Sequence, residues 1–424
     1  MIFLRVSLIA ISIFTVGTTA WCEPLTLQEC LEKAKSHNPY LKSVAWDTRI
    51  ARENLRQADA GFLPRIDAQA GYTLQLEPQA VIISGRTAET QEPDFAFAGL
   101  AATYTLYDFG RRDGRKRQTT AVAEATAHNY ATQRTDVSLQ VIETYFAILE
   151  SNRLITAAAE EVSQVEEHRR MAQIMFEEGV VTRNDVLQAE VRLAAARQKL
   201  LTSTNRRENI WLRLNFLTGS AASFRTDLDD TDTPAAAAQP QSPASLSLAR
   251  RNDIQALRSL VEASDAEVQE SRAGFFPELY TRLALDYVQN DKVREQAIMS
   301  ATLGLRINLF DGYATTAIRD RALHNRSKTM DMLRLAEEQA RLETDTAGND
   351  VVVANERITV AQAAIRQSEE NLRINKERYQ ERVGTATEVL DAQTLVTQAR
   401  TDYYRAYYDR QVALARLKKA LGDL

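Results

Sequence analysis

The feature that most constrains this chain is that it can be laid on itself. Gly61-Phe62-Leu63-Pro64 returns as Gly274-Phe275-Phe276-Pro277, Leu106-Tyr107-Asp108 as Leu309-Phe310-Asp311, and Phe176 to Glu190 (FEEGVVTRNDVLQAE) as Tyr379 to Gln393 (YQERVGTATEVLDAQ). Three landmarks in one order predict an internal duplication. Between the copies, Gly219 to Ser245 is rich in Pro, Ala, Ser and Asp and reads as a linker over the surface. The expected organisation is an export signal over 1–22, a first repeat over 23–218, the linker over 219–245 and a second repeat over 246–424. The first copy carries about ten extra residues between its first two landmarks, near Glu77 to Glu92, where Pro78 and Gly85 suggest a loop.

Each copy has the same internal order. A helical stretch (Thr26 to Ala60; Leu246 to Ala273) ends at Gly-Phe-x-Pro, where glycine can cap a helix and proline cannot continue it. Thr26 with Glu29 has capping-box spacing. Period-two segments follow. Ile66, Ala68, Ala70, Tyr72, Leu74 and Leu76 alternate with polar residues, and so do Met299, Ala301, Leu303, Leu305, Ile307 and Leu309. Leu279, Leu283, Leu285 and Tyr287 suggest a third strand, and Leu100, Ala102, Tyr104 and Leu106 a fourth.

After each strand pair a helix is expected from near Arg111 or Tyr313 to Glu178 or Arg382, without proline. Close to seventy residues at about 1.5 Å each make a helix on the order of 100 Å long. A short turn then returns a second helix through Leu217 or Leu421. With only 15 Gly and 9 Pro in 424 residues, the composition suits long helices better than many short loops. Alanine-rich patches such as Ala194-Ala195-Ala196 predict close helix contacts rather than a thick core.

At the N-terminus, Arg5, an apolar Val6 to Val16 and the small residues around Ala20 read as an export signal, cleaved after Ala20 or after Cys22. Trp21 disfavours a lipid anchor on Cys22. If Cys22 is removed, Cys30 is left without a partner for an internal disulfide. The remainder has no run of about 20 apolar residues, which excludes a bundle of transmembrane helices. The formal charge of −5 is mixed along the chain, with no basic face for nucleic acid.

Strands of about ten residues with alternating faces suit a membrane β-barrel. Four strands cannot close one, and open edges in lipid leave backbone groups unpaired, so several chains must share a barrel. Aromatics gather in the strand regions (Phe62, Tyr72, Phe95, Phe97, Tyr104, Tyr107, Phe275, Phe276, Tyr280, Tyr287, Phe310), as interfacial girdles do. A soluble β-layer with one buried face would give the same alternation.

In duplication, order of elements and tip sequences, the chain resembles the TolC-like outer membrane efflux proteins. The resemblance spans essentially everything after the signal, and Phe176 to Glu190 and Tyr379 to Gln393 are its most specific parts. It implies a mainly α fold with a small β part. Three copies would form a periplasmic α-barrel from long helical hairpins, joined to a twelve-stranded outer membrane β-barrel with four strands per protomer. The linker would lie in an equatorial belt. The family's role implies a passive exit duct in outer membrane lipid, joined by a periplasmic adaptor to an inner membrane pump, in a tripartite efflux or type I secretion system.

The resemblance also assigns the tips. Gly179, Val180, Val181 and Thr182, with Val383, Gly384 and Thr385, would face the adaptor. Asp185 and Glu388 sit where acids favour a helix start, so capping alone accounts for either. In the family, acids of the second hairpin ring the periplasmic entrance, at positions held here by Glu388 and Asp391. Such a ring would attract cations, polyvalent metal ions included. Tyr379 and Asp185 stand at the tyrosine and aspartate of the family's inner lock, and a hydrogen bond between them is the expected fastening. The lock's arginine position is Gly384, which leaves Arg382 or Arg183 as substitutes or as solvated surface charges.

Nothing points to an enzyme or a cofactor: there is no G-x-x-x-x-G-K-[ST], H-E-x-x-H or G-x-S-x-G. His37, His128, His168 and His324 are scattered without metal-ligand spacing, which suits surface or packing roles. Asp108-Phe109-Gly110 and Asp311-Gly312 read as turns between strand and helix. The competing class is a coiled-coil scaffold without a pore. Detergent-dependent solubility and conductance in lipid separate the two.

Overall fold

The computed structural model describes residues 24–230 and 248–424. The export signal, Cys22 and most of the linker lie outside them. The chain runs α1 (Leu27–His37), α2 (Pro39–Ala60), β1 (Arg65–Leu74), β2 (Ala80–Ile83), β3 (Arg86–Glu89), β4 (Asp94–Tyr107), α3 (Arg111–Glu177) and α4 (Arg183–Thr218). The second half follows with α5 (Asn252–Ala273), β5 (Glu278–Val288), β6 (Ala297–Arg306), α6 (Ala314–Gln380) and α7 (Ala386–Leu421).

The capping box at Thr26 forms: Glu29 N–H donates to Thr26 Oγ1 at 3.2 Å and Thr26 N–H to Glu29 Oε2 at 3.0 Å. The first helical stretch is not continuous. Pro39 occupies the first turn of α2, and Asn38 caps it by accepting from Leu41 N–H at 3.1 Å while its amide reaches Leu217 O at 2.8 Å. The Gly-Phe-x-Pro glycines do not end their helices by a left-handed turn either. Gly61 and Gly274 have φ −62° in right-handed backbone, so the stop belongs to the prolines beyond.

The four expected strands form one antiparallel sheet in the order β1-β4-β5-β6. The extra residues of the first copy are a second, two-stranded ribbon, β2–β3, turning through Ser84 and Gly85 at positive φ. The alternation expected of the sheet is real. Ile66 on β1 and Met299, Leu303 and Leu305 on β6 are all at least 66% exposed, so the apolar face at both edges of the sheet has no cover among the described residues. At the foot of the sheet the aromatics assemble. Tyr107 meets Phe109 edge-on with ring centroids 4.8 Å apart, Phe109 stacks on Phe276 at 5.0 Å, and the guanidinium groups of Arg112 and Arg319 lie over Phe62 and Phe275. Aromatic bodies with charged neighbours suit a lipid–water boundary.

Asp108 turns the chain from β4 into α3, accepting from Gly110 N–H, Arg112 N–H and Arg112 Nε. Asp311 does the same ahead of α6, accepting from Thr315 N–H and from Asn308. Both long helices have 67 residues, about 100 Å. Their return helices have only 36 each. The upper part of α3 is faced by shorter helices instead: α5, where a Cβ on Gly114 would lie 2.9 Å from Glu270 N, and α2, through Lys116 with Asp59 at 2.9 Å. α5 also holds α6, with Asn325 Nδ2 donating to Glu267 at 2.9 Å.

Where short and long helices meet, the core is thicker than the alanine pattern predicts. Leu25, Cys30, Leu41, Val141, Tyr145, Ile148, Trp211, Leu214, Leu228 and Tyr408 close around one point, drawn from both halves of the chain. Burial pushes the Cys30 thiol up to about 12, so it acts as a small apolar side chain. The described start of the linker does not merely cross the surface. Leu25 N–H donates to Asp227 O (2.8 Å) and Asp229 N–H to Leu25 O (3.1 Å) around a parallel Leu25–Leu228 bridge. Tyr145 Oη donates to Leu25 O and Asp229 O, and Asp230 accepts from Tyr408 Oη at 2.9 Å.

Candidate gate at the hairpin tips

Each tip is a tight turn between an outgoing and a returning helix. In the first, Gly179 takes φ +72°, a left-handed conformation that costs glycine nothing. In the second the same step falls on Arg382, at φ +63°. A side chain there costs about 1 kcal/mol. Gly384 answers a different demand, since a Cβ on it would approach Arg378 Cβ and Tyr379 N to 3.1 and 3.2 Å.

The acids at the two helix starts act first as caps. Asp185 accepts from Thr182 N–H at 2.9 Å and from Thr182 Oγ1 at 2.8 Å. Glu388 accepts from Thr385 N–H at 3.0 Å, while Glu388 N–H donates to Thr385 Oγ1 at 3.3 Å. Both candidate ring carboxylates also have cationic neighbours: Arg378 is 3.6 Å from Glu388, and Arg192, from the first hairpin, is 3.3 Å from Asp391. Thr387 Oγ1 donates to Gln188 Oε1 at 3.1 Å across the same seam. These pairs are exposed, so each contributes less than about 1 kcal/mol and the local field is softer than free carboxylates would give.

Tyr379 and Asp185 are neighbours, but the expected hydrogen bond is not made within the protomer. The Asp185 carboxylate is turned to Thr182. Tyr379 is 7% exposed and its hydroxyl has no hydrogen-bond partner among the described residues. Burial, with the Asp185 charge second, pushes its ionisation above the ordinary tyrosine range. Its ring lies against His168, with centroids 5.4 Å apart. Among the described residues, neither Arg382 nor Arg183 has a carboxylate within ion-pair distance, and the basic group facing the tip's acid is Arg378.

Sequence reasoning gave His168 only a surface or packing role, of which the structure shows packing, and did not single out Arg192, Arg378 or Gln393. A signal for the first was present: Val165, His168 and Ala172 fall on one helical face, and all three are buried. No group of metal-ligating side chains occurs among the described residues.

A sheet with open edges, two helical hairpins and a belt joining the halves define a class of envelope-spanning channel protomers. The model of the outer membrane efflux protein family matches residues 30–220 and 244–423, and the chain belongs to that family. Membership makes it a channel protein of the bacterial outer membrane that extends into the periplasm, and not an enzyme. Outer membrane protein TolC of Vibrio cholerae serotype O1 is 22% identical over 421 residues, 97% of this chain and 93% of that protein. Pyoverdine export outer membrane protein OpmQ of Pseudomonas aeruginosa is 24% identical over 404 residues, 93% of this chain and 83% of its own length. The solved structure of VceC from Vibrio cholerae superposes with a TM-score of 0.81 at 19% identity, covering 93% of this chain and 96% of that one. CusC gives a TM-score of 0.84 at 19% identity, covering 93% and 91%.

Proposed function

We propose that the chain is the outer membrane exit duct of a tripartite efflux or type I secretion system, passively conducting substrates delivered by an inner membrane pump and a periplasmic adaptor. The observation that carries this reading is the unclosed sheet. β1 and β6 are its outer strands, ten residues each, with exposed apolar side chains along both. In lipid each unpaired backbone group costs several kcal/mol, so β6 of one copy pairs with β1 of the next. Three copies of the four-stranded sheet give twelve strands, and the same threefold axis closes the hairpins into an α-barrel. The two repeats, 23–218 and 246–424, then alternate around the barrel with the linker at the belt.

In this assembly the turns Gly179 to Thr182 and Val383 to Thr385 meet the adaptor, Glu388 and Asp391 ring the entrance, and Asp185 and Tyr379 lie at the gate. The relatives' names support the role: one is an export protein for pyoverdine and another a secretion protein for alkaline protease. The test is the mass of the detergent-solubilised protein, followed by single-channel conductance in a planar bilayer. Trimers should conduct. Trivalent cations on the periplasmic side should block the current, more weakly in Glu388→Ala/Asp391→Ala. Unchanged block moves the ring elsewhere, and well-folded trimers without conductance, even after tip substitutions meant to open them, favour the scaffold.

A further inference from the structure

Just above the tips, three helices bring buried polar groups together without pairing them. His168 on α3, Tyr379 on α6 and Gln393 on α7 are 6%, 7% and 3% exposed. His168 Nε2, Tyr379 Oη and Gln393 Oε1 have no hydrogen-bond partner among the described residues. They border a cavity of about 130 Å3, which Gln164, Glu167 and Val389 also line. A buried polar atom without a partner costs about 1–3 kcal/mol, so this seam is poorly fastened compared with the apolar packing beside it.

The surroundings of His168 give the seam a sign. Glu167 is on its own helix, α6 presents Lys376 and Tyr379, α4 presents Asp185, and α7 faces it with Val389 and Gln393, neither of which titrates. Asp185, the carboxylate among these whose charge favours a protonated ring, is already held by Thr182. Burial first, and Lys376 second, hold the imidazole below its ordinary value.

We propose that His168, Tyr379 and Gln393 form a proton-responsive seam, packed while His168 is neutral and released at the entrance end when the imidazole takes up a proton. Taking His168 as neutral in the packed seam, the opened seam binds more protons than the packed one below about pH 6.5, so packing is strongest above that value and weakens as pH falls. Release separates α3 from the second hairpin, the direction in which an entrance widens. That last consequence rests on the exit-duct reading; the seam itself does not.

The experiment is hydrogen exchange of the full-length protein in detergent, read by mass spectrometry over 165–176 and 376–393 and corrected for intrinsic rates. Between pH 7.5 and 5.5 the wild-type seam should open about tenfold more often, and His168→Gln should reduce that change to less than about twofold. Lys376 is exposed, so Lys376→Gln should leave folding intact and move the midpoint to higher pH. A wild-type response retained in His168→Gln, or a midpoint unmoved in Lys376→Gln, overturns the proposal. Conductance measured at the same two pH values separates the readings. A seam that loosens on the His168 pattern while conductance stays constant upholds the seam and rejects the tip as the gate.

Discussion

The belt and the tips of this molecule are built from the same two hairpins and in opposite ways. At the belt, side chains from α1, α2, α3, α4, the linker and α7 fill one core, and the buried hydroxyl of Tyr145 shares its proton between two backbone carbonyls. At the tips, small residues such as Ala386 and Ala392 pack around Tyr379, whose hydroxyl has no hydrogen-bond partner among the described residues, and a non-glycine residue sits in left-handed backbone. The difference teaches where such a chain is firmly packed and where its packing is thin. Free energy of packing is concentrated in the belt, so the tips belong to the less stable end of the structure.

The largest expected effect is at the belt. Ile148 is fully buried, and Ile148→Ala should destabilise the whole fold by about 2–5 kcal/mol, read as loss of helical signal in denaturant. Val389→Ala at the tip removes one carbon fewer and should cost about 1.5 kcal/mol, visible as faster local exchange with little change in global unfolding. Equal global effects would erase the distinction between the regions.

The two tips sharpen the comparison further. Arg382→Gly should stabilise the second turn by about 1 kcal/mol, and Gly179→Ala should destabilise the first by a similar amount. A Cβ at Gly179 meets nothing within 4 Å, so that cost is purely conformational. Limited proteolysis at each turn reads both. The smallest effect is expected at Tyr379. Tyr379→Phe removes an unpartnered hydroxyl and should leave tip stability unchanged or raise it by up to about 1 kcal/mol, whereas a hydroxyl bonded to Asp185 would make the same change a loss.

What the sequence made legible follows from periodicity and duplication. Strand alternation located all four strands of the main sheet, and unbroken stretches without proline marked both long helices. The β2–β3 ribbon was hidden because Val81, Ile82 and Ile83 form too short a run between turn residues to show a period. The break before Pro39 has its local signal in the Asn38-Pro39 pair, a capping side chain followed by a proline that starts the next helix. The belt core was out of reach, since Leu25, Trp211 and Tyr408 are distant in sequence and share no local pattern. At the candidate gate, the capping roles of Asp185 and Glu388 were readable from spacing. The pairing of Arg192 with Asp391 and the packing of His168 on Tyr379 arise only when one hairpin is laid against the other.

Amide exchange of the full-length protein in detergent at neutral pH tests the contrast most directly, comparing belt residues 137–149 with tip residues 172–193 and 376–396. Protection in the belt exceeding that of both tips by at least about tenfold is the predicted result. Tips exchanging as slowly as the belt would contradict a firmly packed belt carrying thinly packed tips.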